Sequence, residues 1–210
     1  MPFAVRFSTL MLSCDDRAAT RATTLASLQA SGWSWPLEIV LDDGVGSTRI
    51  ERIRRGWQRV IRRASTTDAE FILLLEDDVV FGRWFADNLA SWPLLFEVQP
   101  GGAFFASLYN PGRPVVQRRK RERYAVAHAR DVWGSQAIVT TPATARFIEG
   151  HWDQAMGNPD QRMPRIASSV TPIYYHLPSL VDHAKVPTTW GGLQHSAVDF
   201  DPEWRAASEE

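Results

Sequence analysis

Hydrophobic and polar positions along the chain alternate between two kinds of pattern. The segment from Phe3 to Leu12 is β-rich, and Leu37-Glu38-Ile39-Val40-Leu41 and Phe71-Ile72-Leu73-Leu74-Leu75 are short apolar runs bounded by polar residues. Runs of this length suit strands, and the unbroken third one suits a strand buried on both faces. Between the first two lies Ser13-Cys14-Asp15-Asp16, which supplies turn and N-cap chemistry for a helix expected over 17–30. Leu25 and Leu28 should face inward on that helix, and Ser31-Gly32 closes it as a C-cap. A second helix is expected over 48–64, where Ile50, Ile53, Trp57, Val60 and Ile61 fall in one stripe about 100° wide. The opposite face is assigned Arg49, Arg52, Arg54, Arg55, Arg59, Arg62 and Arg63. Strand–helix–strand–helix–strand order predicts an α/β fold, a mostly parallel sheet with right-handed crossovers and flanking helices.

The second half has shorter elements. A helix is expected over 81–92, stopped by Pro93, then a turn at Pro100-Gly101-Gly102 and a strand over 103–109. After the turn Asn110-Pro111-Gly112, residues 117–123 read as a basic loop and 124–128 as a short strand. Residues 133–140 read as loop into strand. Thr141-Pro142 opens a helix closed by Gly150, and 160–168 form another, bent or delayed by Pro164. A short strand at 173–175 leads into Pro178-Ser179-Leu180-Val181-Asp182-His183, and the chain is expected to fray from Asp199. No Pro/Gly/Ser linker and no repeat divides it, so 1–198 reads as one domain followed by a tail over 199–210.

Composition narrows the classes. A chain of 210 residues with 44% hydrophobic and 22% charged residues builds an ordinary globular core. The net charge of −1 gives no global field for nucleic acid or membrane, so anion binding must come from local patches. A single cysteine, Cys14, excludes an internal disulfide and fits a reducing, cytoplasmic setting. No apolar run reaches the ~20 residues of a membrane span. The apolar N-terminus is interrupted by Arg6 and reads as a strand, not a leader.

The chemistry concentrates where the third strand ends, at Glu76-Asp77-Asp78. Three adjacent carboxylates repel one another, and Val79-Val80-Phe81 behind them places them between buried segments. Buried acids of this kind are paired or metal-bound, and Mg²⁺ or Mn²⁺ shared between carboxylates and substrate phosphates is a common arrangement. The second strand also ends in acids, Asp42 and Asp43, before Gly44. Acids at strand C-termini lie where open α/β sheets bind ligands.

Glu76-Asp77-Asp78 after a hydrophobic strand resembles the acidic DXD motif of glycosyltransferases with the GT-A fold, a Rossmann-like single domain. The resemblance implies a metal-dependent transferase that moves a sugar from a nucleotide-sugar, a UDP-sugar, to an acceptor hydroxyl, with Mn²⁺ or Mg²⁺ as cofactor. It implies a nucleotide-binding half over 1–100 and an acceptor and metal half over 101–198. Glu76, Asp78 and His183 would be the metal residues, His183 because a late histidine serves so in many family members. The Cys14-Asp15-Asp16-Arg17 loop looks like the Cys-Asp-Arg stretch of the N-glycan N-acetylglucosaminyltransferases, with one extra Asp. Ser13 and Arg17 there, with Asp42, Asp43 and Asp77, would bind the nucleotide, a carboxylate accepting from base N–H or ribose hydroxyl groups. Trp133-Gly134-Ser135-Gln136 resembles the segment that faces the donor sugar, with Gly134, Ser135 and Gln136 as its contacts. Asp160 matches the acid that takes the acceptor's proton in inverting members, Asp153 being the alternative. His195, after Gly191-Gly192 in a segment suited to a lid over the donor, is the alternative to His183 as metal histidine.

Two further readings share parts of this pattern. A metal-dependent phosphoryl-transfer enzyme needs a phosphate loop or nucleophile motif, and no Gly-Lys-Ser/Thr or spaced Asp-x-Asp-x-Thr is present. A non-catalytic nucleic-acid or carbohydrate-binding protein needs the arginines and not the acids. The run Arg118-Arg119-Lys120-Arg121-Glu122-Arg123 is the local patch that an anionic acceptor would use.

Overall fold

The computed structural model describes residues 5–186 and 195–206. One mixed, eight-stranded sheet runs through the chain. Its first three strands are β1 (Phe7–Ser13), β2 (Leu37–Leu41) and β3 (Phe71–Leu75). They are joined by α1 (Ala18–Ala30) and α2 (Arg49–Ser65) and pair in parallel in the order β2-β1-β3. The order continues through β8 (Ala137–Thr140), β5 (Phe105–Ser107), β9 (Ile173–His176), β7 (Tyr124–Ala127) and β6 (Gln117–Arg119). From the pairings, β8 and β7 run against the other six strands. A separate antiparallel ribbon joins β4 (Val79–Phe81) to β10 (Val181–His183).

β3 is the spine. All five of its residues are buried, and they divide between the two faces as a pleated strand requires. Phe71, Leu73 and Leu75 join Leu28 and Trp33 with α3 (Phe85–Ala90) and α4 (Pro93–Phe96) on one side. Ile72 and Leu74 join Trp57, Val60 and Ile61 of α2 on the other. There α5 (Pro142–His151) and α6 (Pro159–Ala167) add Ala145, Ile148, Met163 and Ile166. Thr48 caps α2 by accepting from the Glu51 N–H, and Thr141 caps α5 by accepting from the Thr144 N–H. No described helix is long and apolar enough to cross a membrane.

Several expectations are corrected. There is no single helix over 81–92. Val79-Val80-Phe81 is buried, exposed, buried, the period of a strand, and its partner lies about a hundred residues downstream, out of reach of local reading. α3 follows, and Pro93 begins α4 at the position proline favours instead of ending a helix. β1 starts at Phe7; of the segment expected before it, residues 3 and 4 lie outside the described residues. α5 runs one residue past Gly150 to His151. The basic run is an ordered hairpin in which β6 pairs β7, not a loop. Of the arginines assigned to the outer face of α2, Arg49, Arg55, Arg62 and Arg63 are exposed and Arg52, Arg54 and Arg59 half-buried. The described tail does not fray. The Pro202 carbonyl accepts from Arg83 N–H (2.7 Å), the Trp204 carbonyl accepts from Asn88 Nδ2 (2.9 Å), and Asn88 Oδ1 accepts from Ala206 N–H (2.8 Å).

Where β9 ends, His176 is fully buried between Trp92 and Trp204. Its Nδ1–H donates to the Pro178 carbonyl at 2.6 Å. Burial holds the imidazole neutral and pushes its pKa down to about 3. Below pH ~6.5 the unfolded chain takes a proton at this histidine and the folded chain does not, so acid favours unfolding. Stability is complete above that pH and falls by up to about 1.4 kcal/mol per unit as pH drops toward the folded value. His176→Gln is expected to flatten this part of the stability–pH curve, read from urea midpoints between pH 7 and 4.

Candidate active site

A cavity of about 540 Å³ opens at the rim where β1, β2 and β3 end. Each element delivers its side chains by simple geometry. The first three strands, being parallel, end together and bring Ser13, Asp42 and the Glu76-Asp77-Asp78 turn to one edge. β8 is reversed, so its beginning lies at the same edge and adds Ser135 and Gln136. The first turn of α6 adds Asp160. The β4–β10 ribbon sets His183 opposite Val79, one residue past Asp78, and Ala184 N–H donates to the Asp78 carbonyl at 2.7 Å.

The acidic turn is held from four sides. Arg17 spans it, Nε donating to Asp77 Oδ1 and Nη2 to Asp78 Oδ2, both at 2.6 Å. Ser13 Oγ donates to Asp77 Oδ2 at 2.5 Å and itself accepts from Arg21 Nη1 at 2.7 Å. His183 Nε2 lies 3.3 Å from Asp78 Oδ2. Beneath, the buried Thr24 hydroxyl donates to the Asp77 carbonyl (2.8 Å) and accepts from Val79 N–H (3.1 Å), tying the turn to α1.

These contacts divide the acids by electrostatics. Burial pushes Glu76 up to about 8, with the Asp78 charge adding to it, against a hydrogen bond from the Ser135 hydroxyl. Burial also raises Asp77, outweighing Ser13 and Arg17. At Asp78 burial acts the same way, but the His183 hydrogen bond and charge, with Arg17, hold the carboxyl below its ordinary range. His183 is raised in return, chiefly by its hydrogen bond to Asp78. Asp160 is raised by burial, partly offset by Gly134 N–H at 3.4 Å. Gly134 has φ +86°, and a Cβ there would stand 2.2 Å from Gln136 Oε1 and 3.2 Å from the Tyr109 ring. The positive φ is what calls for glycine, since the Gln136 amide is the free end of a side chain and can swing aside.

Among the described residues, no group of three His, Cys, Asp or Glu side chains makes a ready metal cage. The local chemistry still fits a divalent cation that substrate oxygens would complete. Asp78 Oδ1 is buried, points at no protein partner, and belongs to a carboxylate kept ionised beside an imidazole. Two more buried polar atoms of the cavity wall lack partners, the Tyr109 hydroxyl and Gln136 Oε1.

Most of the residues singled out in the sequence meet here: Ser13, Arg17, Asp42, Asp77, Gly134, Ser135, Gln136 and Asp160 with Glu76, Asp78 and His183. Asp42 arrives already engaged, Oδ2 accepting from Arg52 Nε (3.0 Å) and Nη2 (2.6 Å) and Oδ1 from Gly44 N–H (3.0 Å). Asp43 is not in the wall; it accepts from Val45 N–H and pairs with Arg59. Asp153 is also outside it. His195 lines the cavity, but Gly191-Gly192 lies outside the described residues. The 118–123 hairpin closes the far edge of the sheet, five strands from β3 in the order given above, or about 24 Å away at the usual spacing. Sequence reading missed Thr24, Tyr109 and Arg113. Thr24 and Tyr109 sit inside regular patterns that read as core. Arg113, whose guanidinium lies 4.5 Å from the centroid of the cavity-lining Trp133 ring, follows a turn and carries no motif.

No protein-family model matches the chain, and no curated protein matches it in sequence. Solved structures do match in shape. The catalytic domain of Drosophila β1,4-galactosyltransferase 7, solved with xylobiose, aligns over 94% of this chain and 78% of its own with a TM-score of 0.53 and 12% identity. A 1–349 fragment of S. aureus TarS aligns over 87% of this chain with a TM-score of 0.51 and 12% identity, and the chain spans 61% of that fragment. The chain thus has the GT-A glycosyltransferase fold.

Thr24 tests the rigidity of the acidic turn. Thr24→Val removes a donor and an acceptor and leaves two buried backbone groups unsatisfied. It is expected to cost about 2–4 kcal/mol, read from urea unfolding, with Thr24→Ser restoring most of the loss.

Proposed function

We propose that the protein is a metal-dependent glycosyltransferase that transfers a sugar from a nucleotide-sugar, a UDP-sugar, to an acceptor hydroxyl. The observation that carries the reading is the convergence of Asp78 Oδ1, the Tyr109 hydroxyl and Gln136 Oε1, all buried and without protein partners, on one cavity at the strand ends. Each such atom costs about 1–3 kcal/mol until a ligand satisfies it. A ligand rich in hydroxyl and phosphate oxygens, carried with a cation, is what this set can satisfy. The fold shared with the galactosyltransferase catalytic domain supports the same assignment. The cytoplasmic setting expected from the single cysteine belongs to this proposal.

Asp78 and His183 would hold Mn²⁺ or Mg²⁺, with Glu76 beside them. The cation, when bound, supplies Lewis-acid stabilisation of the departing diphosphate. The chain's own residues do the rest. Arg17 is a fixed positive charge at the same rim, and its two ion pairs keep Asp77 and Asp78 apart and oriented. Ser13 and Asp42 face the nucleoside end of the cavity, which Leu12, Ile50 and Ile53 make apolar. Gly134 lets the donor sugar approach the backbone, and Gln136 and Tyr109 present an acceptor and a hydroxyl to it. Asp160 takes the proton of the attacking hydroxyl. Its desolvated carboxyl is a stronger base than one in water, and Gly134 N–H orients it. Bringing both substrates to one fixed rim accounts for much of the remaining rate.

Titration calorimetry of UDP with and without Mn²⁺ tests the assignment. Wild-type protein is expected to bind UDP at least tenfold more tightly with Mn²⁺, and Asp78→Ala to lose that difference. A metal-independent affinity in both proteins would overturn the reading. Asp160→Asn is expected to keep UDP binding and to slow release of UDP from the donor by about 10²–10⁴, measured under single-turnover conditions.

A further inference from the structure

We infer that the acceptor carries an oxyanion, a carboxylate or a phosphate, and that Arg113 is the side chain that selects it. The substrate class so named rests on the transferase reading, whereas the anion subsite rests on side-chain geometry.

Arg113 lines the cavity and is held at both of its ends. Its backbone closes the turn that follows β5. There the buried Asn110 accepts at Oδ1 from the N–H groups of Gly112 (3.0 Å) and Arg113 (2.9 Å). Asn110 N–H donates to Ser179 Oγ at 3.0 Å, and Ser179 Oγ donates to Asp199 Oδ1 at 2.6 Å. The Asn110 carbonyl accepts from Val198 N–H at 3.0 Å. The turn is thus fastened to two segments far downstream. At the other end of the side chain, the guanidinium carbon lies 4.5 Å from the centroid of the Trp133 ring, which lines the same cavity. A ring face attracts the cation but supplies no acceptor oxygen to its N–H groups.

Those donors are unanswered. Arg113 Nε is buried without a partner, and among the described residues the side chain has no ion pair and no hydrogen bond. The other arginines of the cavity wall differ. Arg17 spans Asp77 and Asp78, Arg52 pairs with Asp42, and Arg49 is exposed. The remaining acids of the wall are engaged as well, Glu76 by the Ser135 hydroxyl and Asp160 by Gly134 N–H. A half-buried guanidinium with a desolvated nitrogen and no counter-charge is costly, and an oxyanion removes that cost through charge-assisted hydrogen bonds to the planar fork. The position assigns the oxyanion to the acceptor. Trp133 is followed by Gly134, whose N–H reaches Asp160 at 3.4 Å. Arg113 therefore stands one residue along the wall from the group that holds Asp160, while Leu12, Ile50 and Ile53 define the nucleoside end. An acceptor held by its anion at Arg113 brings its neighbouring hydroxyl toward the carboxylate that takes the proton. The basic hairpin of β6 and β7 stands at the far sheet edge and has no part in this.

The test uses the whole chain saturated with UDP and Mn²⁺, titrated at constant ionic strength with the methyl glycosides of glucuronic and galacturonic acid, with glucose 6-phosphate, and with the neutral methyl glucoside and galactoside. At least one anionic sugar is expected to bind about tenfold more tightly than its neutral counterpart. Whether the uronides or the phosphate gain tells which oxyanion the subsite takes. Arg113→Gln is expected to abolish that preference and to leave UDP affinity unchanged. Arg113→Lys, which keeps the charge and loses the fork, is expected to restore only part of it. Arg118→Gln, on the basic hairpin, is expected to keep the preference in full. No preference for any anionic sugar in wild-type protein, or a preference that survives in Arg113→Gln, would overturn the inference. So would a tenfold loss of UDP affinity in Arg113→Gln, which would assign the arginine to the donor's diphosphate. Should wild-type protein bind no UDP, the transferase reading fails, and the same sugars titrated without UDP still decide the anion subsite.

Discussion

The interaction on which the structure depends is the clamp of Arg17 across Asp77 and Asp78. A fully buried strand delivers two carboxylates into a place with little water, where adjacent negative charges repel strongly. Without compensation one would protonate or the turn would rearrange. A single guanidinium, planar and always charged, satisfies one oxygen of each acid at once, which a lysine would do less well. The remaining contacts follow from this. Ser13 takes the second oxygen of Asp77, His183 approaches Asp78, and Thr24 fixes the backbone between them. Parts of β1, α1, β3 and β10 are thereby tied to one turn, so the site and the fold are stabilised by the same bonds.

The mixed direction of the sheet serves the same rim. Parallel strands alone would bring only their C-terminal ends to the cavity. Reversing β8 lets its first residues, and the loop containing Gly134, enter from the other half of the chain. The β4–β10 ribbon performs the same task for His183, which no strand of the main sheet carries there. Ligand-facing groups from both halves of the chain thus meet across a short distance while both hydrophobic layers remain continuous.

Much of this was legible in the residues. The uninterrupted apolar run at 71–75 announced a strand covered on both sides, and its burial shows it. The period of α2 was clear: Trp57, Val60 and Ile61 are buried as the stripe requires, and only its first residue, Ile50, stands exposed at the mouth of the helix. Acids following two neighbouring strands marked the rim, since parallel strands joined by helices end together. What the residues did not reveal depended on partners distant in sequence. Val79-Val80-Phe81 continues smoothly into a helical pattern unless its pairing with 181–183 is known. The docking of 199–206 rests on hydrogen bonds to the Arg83 backbone and the Asn88 side chain that no local pattern encodes. Asp42 and Asp43 are neighbours of the same type, yet one faces the cavity and the other a surface arginine, because successive residues at a strand end point to opposite sides.

On the proposed reading, the two oxygens of Asp78 have different roles. Oδ2 is already shared between Arg17 and His183, while Oδ1 is buried and unpartnered. A cation can therefore meet the carboxylate without breaking the clamp that orients it. This ordering matters because, among the described residues, Arg17 is the side chain that ties Asp77 to Asp78 by touching both. Had the cation required Arg17 to leave, binding it would have released Asp77, and with it the hydrogen bond that anchors the end of β1. A carboxylate with one shared and one open oxygen holds the site in the shape the ligand needs before the ligand arrives, so little reorganisation accompanies binding.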